Sequence, residues 1–94
     1  MTEKFKDLPV EADTTIISSV QVKIDPYDVV YQKWYWGGFH AESIIFYNDD
    51  VAQLTEEEIK NEVKSCPGLI EEGSQISFKK GETFTFVNFN FVST

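Results

Sequence analysis

The chain contains no arginine. All eight of its basic residues are lysine, set against sixteen aspartates and glutamates, for a formal net charge of −8. Phosphate contact calls for a basic stripe, and base-edge readout leans on the arginine fork. The composition therefore argues against direct binding of nucleic acid and, on the same ground, against attachment to an anionic membrane surface. It favours a basic protein partner, met through electrostatic steering. The plain alternative is that the charge serves solubility.

Cysteine is nearly absent too. A lone Cys66 cannot close an internal disulfide, which rules out a disulfide-stapled secreted scaffold. The single histidine, His40, cannot fill a zinc shell with that one distant cysteine. No cofactor and no metal are expected. No stretch approaches the ~20 apolar residues of a membrane-spanning helix. The opening MTEKFKDLPVEAD is charged and lacks the apolar run of a signal peptide. These features predict a cytoplasmic protein, in the host cytoplasm if the gene is carried by a phage. Lysine without arginine, beside many Ile, Asn and Phe, also resembles the translation of an AT-rich gene, as expected of a low-GC bacterium or its phage.

Aromatic residues are what the chain has in abundance: eight Phe, four Tyr and two Trp in 94 residues. Each buried ring removes about 150–250 Å² from water. A chain of this length hides about 60–65% of its unfolded surface, enough for a modest core. One domain over 1–94 is expected, with residues 1–13 as an acidic lead-in restrained by Pro9.

The periodicity predicts an α+β fold with element order β-β-β-α-β-β, a five-stranded, mainly antiparallel sheet with one short helix on a face. Over 14–24, Ile16, Val20, Val22 and Ile24 recur in even phase, interrupted at Ser18, as in a half-buried strand. Asp25-Pro26-Tyr27-Asp28 ends it. Strands over 29–36 and 39–47 flank Gly37-Gly38, a two-residue hairpin turn. That turn sets a register: Trp36 opposite Phe39, Tyr35 opposite His40, Trp34 opposite Ala41, and Lys33 opposite Glu42 as a charge pair. Both faces of this hairpin are apolar. Thr55-Glu56-Glu57-Glu58 is a capping box, with Leu54 and Ile59 as its hydrophobic staple. Ile59, Val63 and Cys66 form a narrow apolar stripe, and Pro67-Gly68 stops the helix. Residues 75–80 and 83–92 read as a second hairpin. Its last strand slips phase between Phe86 and Val87, through a β-bulge or burial on both faces, with Asn88 and Asn90 pointing away from the core.

No residue set carries chemistry. His40 has Tyr35, Glu42 and Ser43 nearby in sequence but no nucleophile motif around it. Cys66 falls at a helix C-terminus, whereas reactive thiols prefer the N-terminus. Asn48-Asp49-Asp50 with the glutamates that follow lacks the ligand spacing and central glycine of a calcium loop. A non-enzymatic protein is expected.

Two surfaces are candidates for binding. The first is acidic: Asp49, Asp50, Glu56, Glu57, Glu58 and Glu62 stand against Lys60 alone, a net of −5 over 49–62, while 73–94 carries +1. Acids at i,i+4 on a helix lie about 5–6 Å apart, a scale similar to phosphate spacing along a DNA strand. The second is the aromatic hairpin of Tyr35, Trp36 and Phe39, rich in the residue types that anchor interfaces, and suited to a partner or a homodimer. In size and charge the chain is similar to the small acidic anti-restriction and anti-CRISPR proteins of phages. The leading expectation is thus an inhibitor of a nucleic-acid-binding protein or nuclease by DNA mimicry. An immunity protein or antitoxin against a basic toxin, and an assembly subunit using the aromatic hairpin, are the alternatives.

Overall fold

A computed structural model describes residues 3–93, so the first two positions of the acidic lead-in lie outside the described residues. A 3-10 turn at Glu3–Phe5 precedes β1 (Thr15–Ile24), β2 (Tyr27–Trp36) and β3 (Phe39–Tyr47). A second 3-10 turn (Asn48–Val51) leads into α1 (Glu56–Lys64), followed by β4 (Ser77–Lys80) and β5 (Phe84–Ser93). The strands form one sheet in the order β1-β2-β3-β5-β4, every pairing antiparallel. This is the expected α+β architecture. β3 and β5 join the two halves, and α1 carries the connection across one face.

The Gly37-Gly38 turn delivers the expected register in full, from Trp36 opposite Phe39 to Lys33 opposite Glu42. Both glycines have positive φ, +55° and +92°, the conformation such a tight turn demands. The two faces are then settled by alternation. Val29, Ile44, Phe46, Val87 and Phe89 meet Ile59 and Val63 of α1 in the main core. On the opposite face Val30, Ile45 and Phe84 are covered by Phe5, which anchors the lead-in. A sheet apolar on both faces needs cover on both, and the chain supplies a helix for one and its N-terminal segment for the other.

Three positions refine the expected pattern. The irregularity in β1 is a bulge between Ile16 and Ser18: Ile16 pairs with Trp34 but Ser18 with Lys33. Ile17 is the extra residue and is exposed, so Ile16 falls on the face opposite Val22 and Ile24. Of the two readings of the β5 phase slip, burial on both faces holds, and the bulge of β5 sits near Asn90 and not at Phe86-Val87. His40 pairs with Val92 and Glu42 with Phe89, leaving Asn90 and Phe91 opposite Ala41 alone. Phe84 to Phe89 keep strict alternation with both faces covered, which accounts for the apparent phase slip. Asn90, finally, points inward. It is 6% exposed with φ +55°, and its side chain caps the chain around Leu69 and Glu71. Asparagine is among the few residues that tolerate this left-handed conformation.

On the face away from α1, one row of side chains crosses all five strands. Ser19 pairs with Gln32, Gln32 with Ser43, Ser43 with Asn88, and Asn88 with Ser77. The row is polar and uncharged throughout.

Candidate functional site

The acidic surface is built by the segment that enters α1. Asn48 fixes its start: its N–H donates to Thr83 O at 2.9 Å, its Nδ2 donates to Gly81 O at 2.9 Å, and its Oδ1 accepts from Thr85 Oγ1 at 2.6 Å. The 3-10 turn is thereby bolted to the β4–β5 hairpin, with Val51 buried beneath it. Asp49 and Asp50 are left outside, exposed. The capping box then starts the helix as expected: Glu58 N–H donates to Thr55 Oγ1 at 3.2 Å and Thr55 N–H to Glu58 Oε1 at 3.0 Å. Leu54 packs against the core cluster that contains Ile59, completing the staple. With Ile59 and Val63 turned inward, Glu56, Glu57 and Glu58 face solvent, and Glu62 is half-buried.

The six acids are brought onto one continuous segment, and lysines temper part of their charge. Lys60 lies 3.0 Å from Glu56 and 4.0 Å from Glu57 on the same helix. Lys4, from the distant lead-in, reaches Asp50 at 2.6 Å. The Lys4–Asp50 pair is a tertiary contact with no local sequence signal. Glu62 sits next to Cys66, whose thiol pKa is raised, first by burial and then by the Glu62 charge. That thiol also lies 3.6 Å from the Glu62 carbonyl oxygen.

The aromatic hairpin divides between the two faces. Trp36 and Phe39 stack edge-to-face at 5.6 Å, and Phe39 continues to Trp34 at 6.0 Å and Phe91 at 5.9 Å. Tyr35 lies on the other face beside His40, with ring centroids 5.1 Å apart. The structure therefore unites Trp36 and Phe39 and separates Tyr35 from them. Trp36 is 44% exposed and Tyr35 37%, while β5 adds Phe91 at 40% and Val92 at 52%. Phe91 joins Phe39, and Val92 comes opposite His40 on the Tyr35 face, only through β3–β5 pairing, which local sequence does not announce.

The side chains around His40 do not form a reactive set. Ser43 is turned to the opposite face, accepting from Trp34 Nε1 at 2.7 Å and donating to Asn88 Oδ1 at 2.5 Å. Glu42 stands opposite Lys33, but its carboxylate accepts from Tyr31 Oη and, at 2.9 Å, from Asn90 Nδ2. Lys33 lies over the Tyr31 ring instead, 5.9 Å from its centroid. Burial, followed by the hydrogen bond to Glu42 and its charge, pushes the Tyr31 pKa up to about 12. Among the described residues no three His, Cys, Asp or Glu side chains gather as a metal site would need, and no helix is long and apolar enough to cross a membrane. No family model, curated protein or solved structure matches the chain.

Proposed function

We propose that the protein is a non-enzymatic binding protein that engages a basic partner through Asp49, Asp50, Glu56, Glu57, Glu58 and Glu62. In this reading it works in the cytoplasm as an inhibitor of a nucleic-acid-binding protein or nuclease, occupying by charge mimicry the groove that holds nucleic acid. The supporting observation is the separation of the acids from the work of folding. α1 is held to the sheet by Ile59 and Val63, while the acids at 49, 50, 56 and 57 stand exposed around it. Glu58 closes the capping box, a duty glutamine can also perform, while Asp50 pairs with Lys4 and Glu56 with Lys60 at the surface. A basic toxin is a partner of the same chemistry, which makes an immunity or antitoxin role the nearest variant.

The test is affinity capture on the immobilised protein, with elution first by rising salt and then by duplex DNA. Release of nucleases or other nucleic-acid-binding proteins by both eluants supports the reading. Partners that resist both overturn it.

A second reading rests on the aromatic hairpin, with Trp36 and Phe39 joined by Phe91 on one face and Tyr35 on the other. Exposed aromatic side chains of this kind anchor interfaces, and an assembly or homodimer contact there would resist salt. Loss of such a contact in Trp36→Ala, with the acids intact, would favour this second role.

A further inference from the structure

We infer that the sheet face opposite α1 carries a binding groove for a neutral, polyhydroxylated ligand of saccharide chemistry. The site lies apart from the acidic segment, so it goes beyond the proposed inhibitor role and stands or falls independently of it.

The groove has a volume of about 380 Å³, within the range of about 300–1,000 Å³ common to small-molecule sites. Its floor is part of the polar row described above: Gln32, Ser43 and Asn88. Gln32 is 7% exposed and Ser43 2%. Such positions in the middle of a covered sheet face are ordinarily apolar, since burying polar groups is costly unless they are hydrogen-bonded. Here they are bonded in a directed way. Trp34 Nε1 donates to Ser43 Oγ, which donates to Asn88 Oδ1. Gln32 Nε2 donates to Ser19 Oγ at 3.4 Å. Asn88 thus uses its amide oxygen and Gln32 its amide nitrogen within the sheet. The complementary halves, Gln32 Oε1 and Asn88 Nδ2, give a ligand one acceptor and one donor.

The flanks are apolar. Ile16 and Trp34 stand on one side of the row and Phe86 on the other. Trp34 is fixed by its bond to Ser43 and by edge-to-face contacts with Phe39 and Phe91. A polar line between apolar walls matches a ligand that alternates hydroxyl edges with C–H faces, as a pyranose does. The charges at the rim cancel, because Lys79 is ion-paired with Glu11. With a chain charge of −8, an anionic ligand would be repelled. Pro9 and Val10 form the roof, held over the sheet by Phe5 at one end and by the Glu11–Lys79 pair at the other.

The test is a two-dimensional amide NMR titration of the intact chain with D-glucose, D-galactose, D-mannose and N-acetyl-D-glucosamine, beside glucuronate and glucose 6-phosphate. The expected result is saturable shifts of the Gln32 and Asn88 side-chain amides and the Trp34 indole N–H with at least one neutral sugar. The two anionic sugars should bind at least tenfold more weakly. Asn88→Leu should weaken the neutral sugar at least tenfold; if that variant does not fold, the wild-type titration decides alone. The absence of saturable shifts with all four neutral sugars, shifts confined to α1, or equal binding of the charged forms would overturn the assignment.

Discussion

Asn90 Nδ2 donates to Glu42 Oε2 at 2.9 Å, tying a left-handed bulge residue in β5 to the central strand β3. The same nitrogen donates to Leu69 O at 2.9 Å, and Asn90 Oδ1 accepts from Glu71 N–H at 2.8 Å. One asparagine thus fixes the path of the chain after α1. Asn90→Ala removes these bonds and adds a left-handed alanine, for an expected loss of about 2–4 kcal/mol. Asn90→Gly removes the bonds but not the conformational ease, and should be about 1 kcal/mol less damaging than alanine. Urea unfolding of the two variants checks the order.

Glu42 also sets a pH dependence. The Tyr31 pKa is raised from 10.0 to about 12 in the folded protein, so folding favours the neutral phenol. The corresponding stability is complete below the unfolded value, near 10, and is lost as pH rises through about 12. Stability should fall across that window more steeply in the wild type than in Tyr31→Phe. Unfolding midpoints measured on both chains would show it, with tyrosinate absorbance as the direct readout of ionisation.

At the helix start, Thr55→Ala should cost about 1 kcal/mol, because Glu58 N–H loses its cap. Glu58→Gln should leave stability almost unchanged, since glutamine serves equally at the third helical position. Thermal unfolding distinguishes the two.

That difference makes the functional test clean. The triple variant Glu57→Gln, Glu58→Gln, Glu62→Gln should fold normally yet lose its basic partner, with wild-type binding that weakens steeply as salt rises. Unchanged affinity in the triple variant, measured by calorimetry, would remove charge mimicry from consideration.

The tight turn allows a sharper conformational test. A Cβ built on Gly37 or Gly38 meets no atom within 4 Å, so any cost there is backbone conformation alone. Gly37→Asn should be nearly neutral, because Asn-Gly suits such a turn. Gly38→Val, at φ +92°, should cost about 1–2 kcal/mol or more. Denaturant midpoints measure both.

What the sequence discloses here is local. Gly37-Gly38 dictates the β2–β3 register, and Thr55 with Glu58 dictates where α1 begins, because both act over a few residues. The bulges at Ile17 and Asn90 are different. Each depends on which strand lies alongside, and nothing near Asn90 reveals that β5 pairs with β3. The acidic segment is legible as a run of charge, but Lys4 and its hold on Asp50 come from 46 positions away. The polar row is the extreme case. Ser19, Gln32, Ser43, Asn88 and Ser77 look like scattered substitutions until the strand order aligns them.

The two outermost strands bear on how the molecule behaves in a crowded cell. β1 is a long edge, and the exposed bulge at Ile17 breaks its ladder. β4 is only four residues long and ends in Lys79-Lys80. Both are devices that deny a neighbouring chain a flat template for strand addition. Exposed flat edges of aromatic-rich β-structure are open to such pairing. With its margins interrupted and a net charge of −8 setting copies against one another, the sheet offers a second chain little to extend by strand addition.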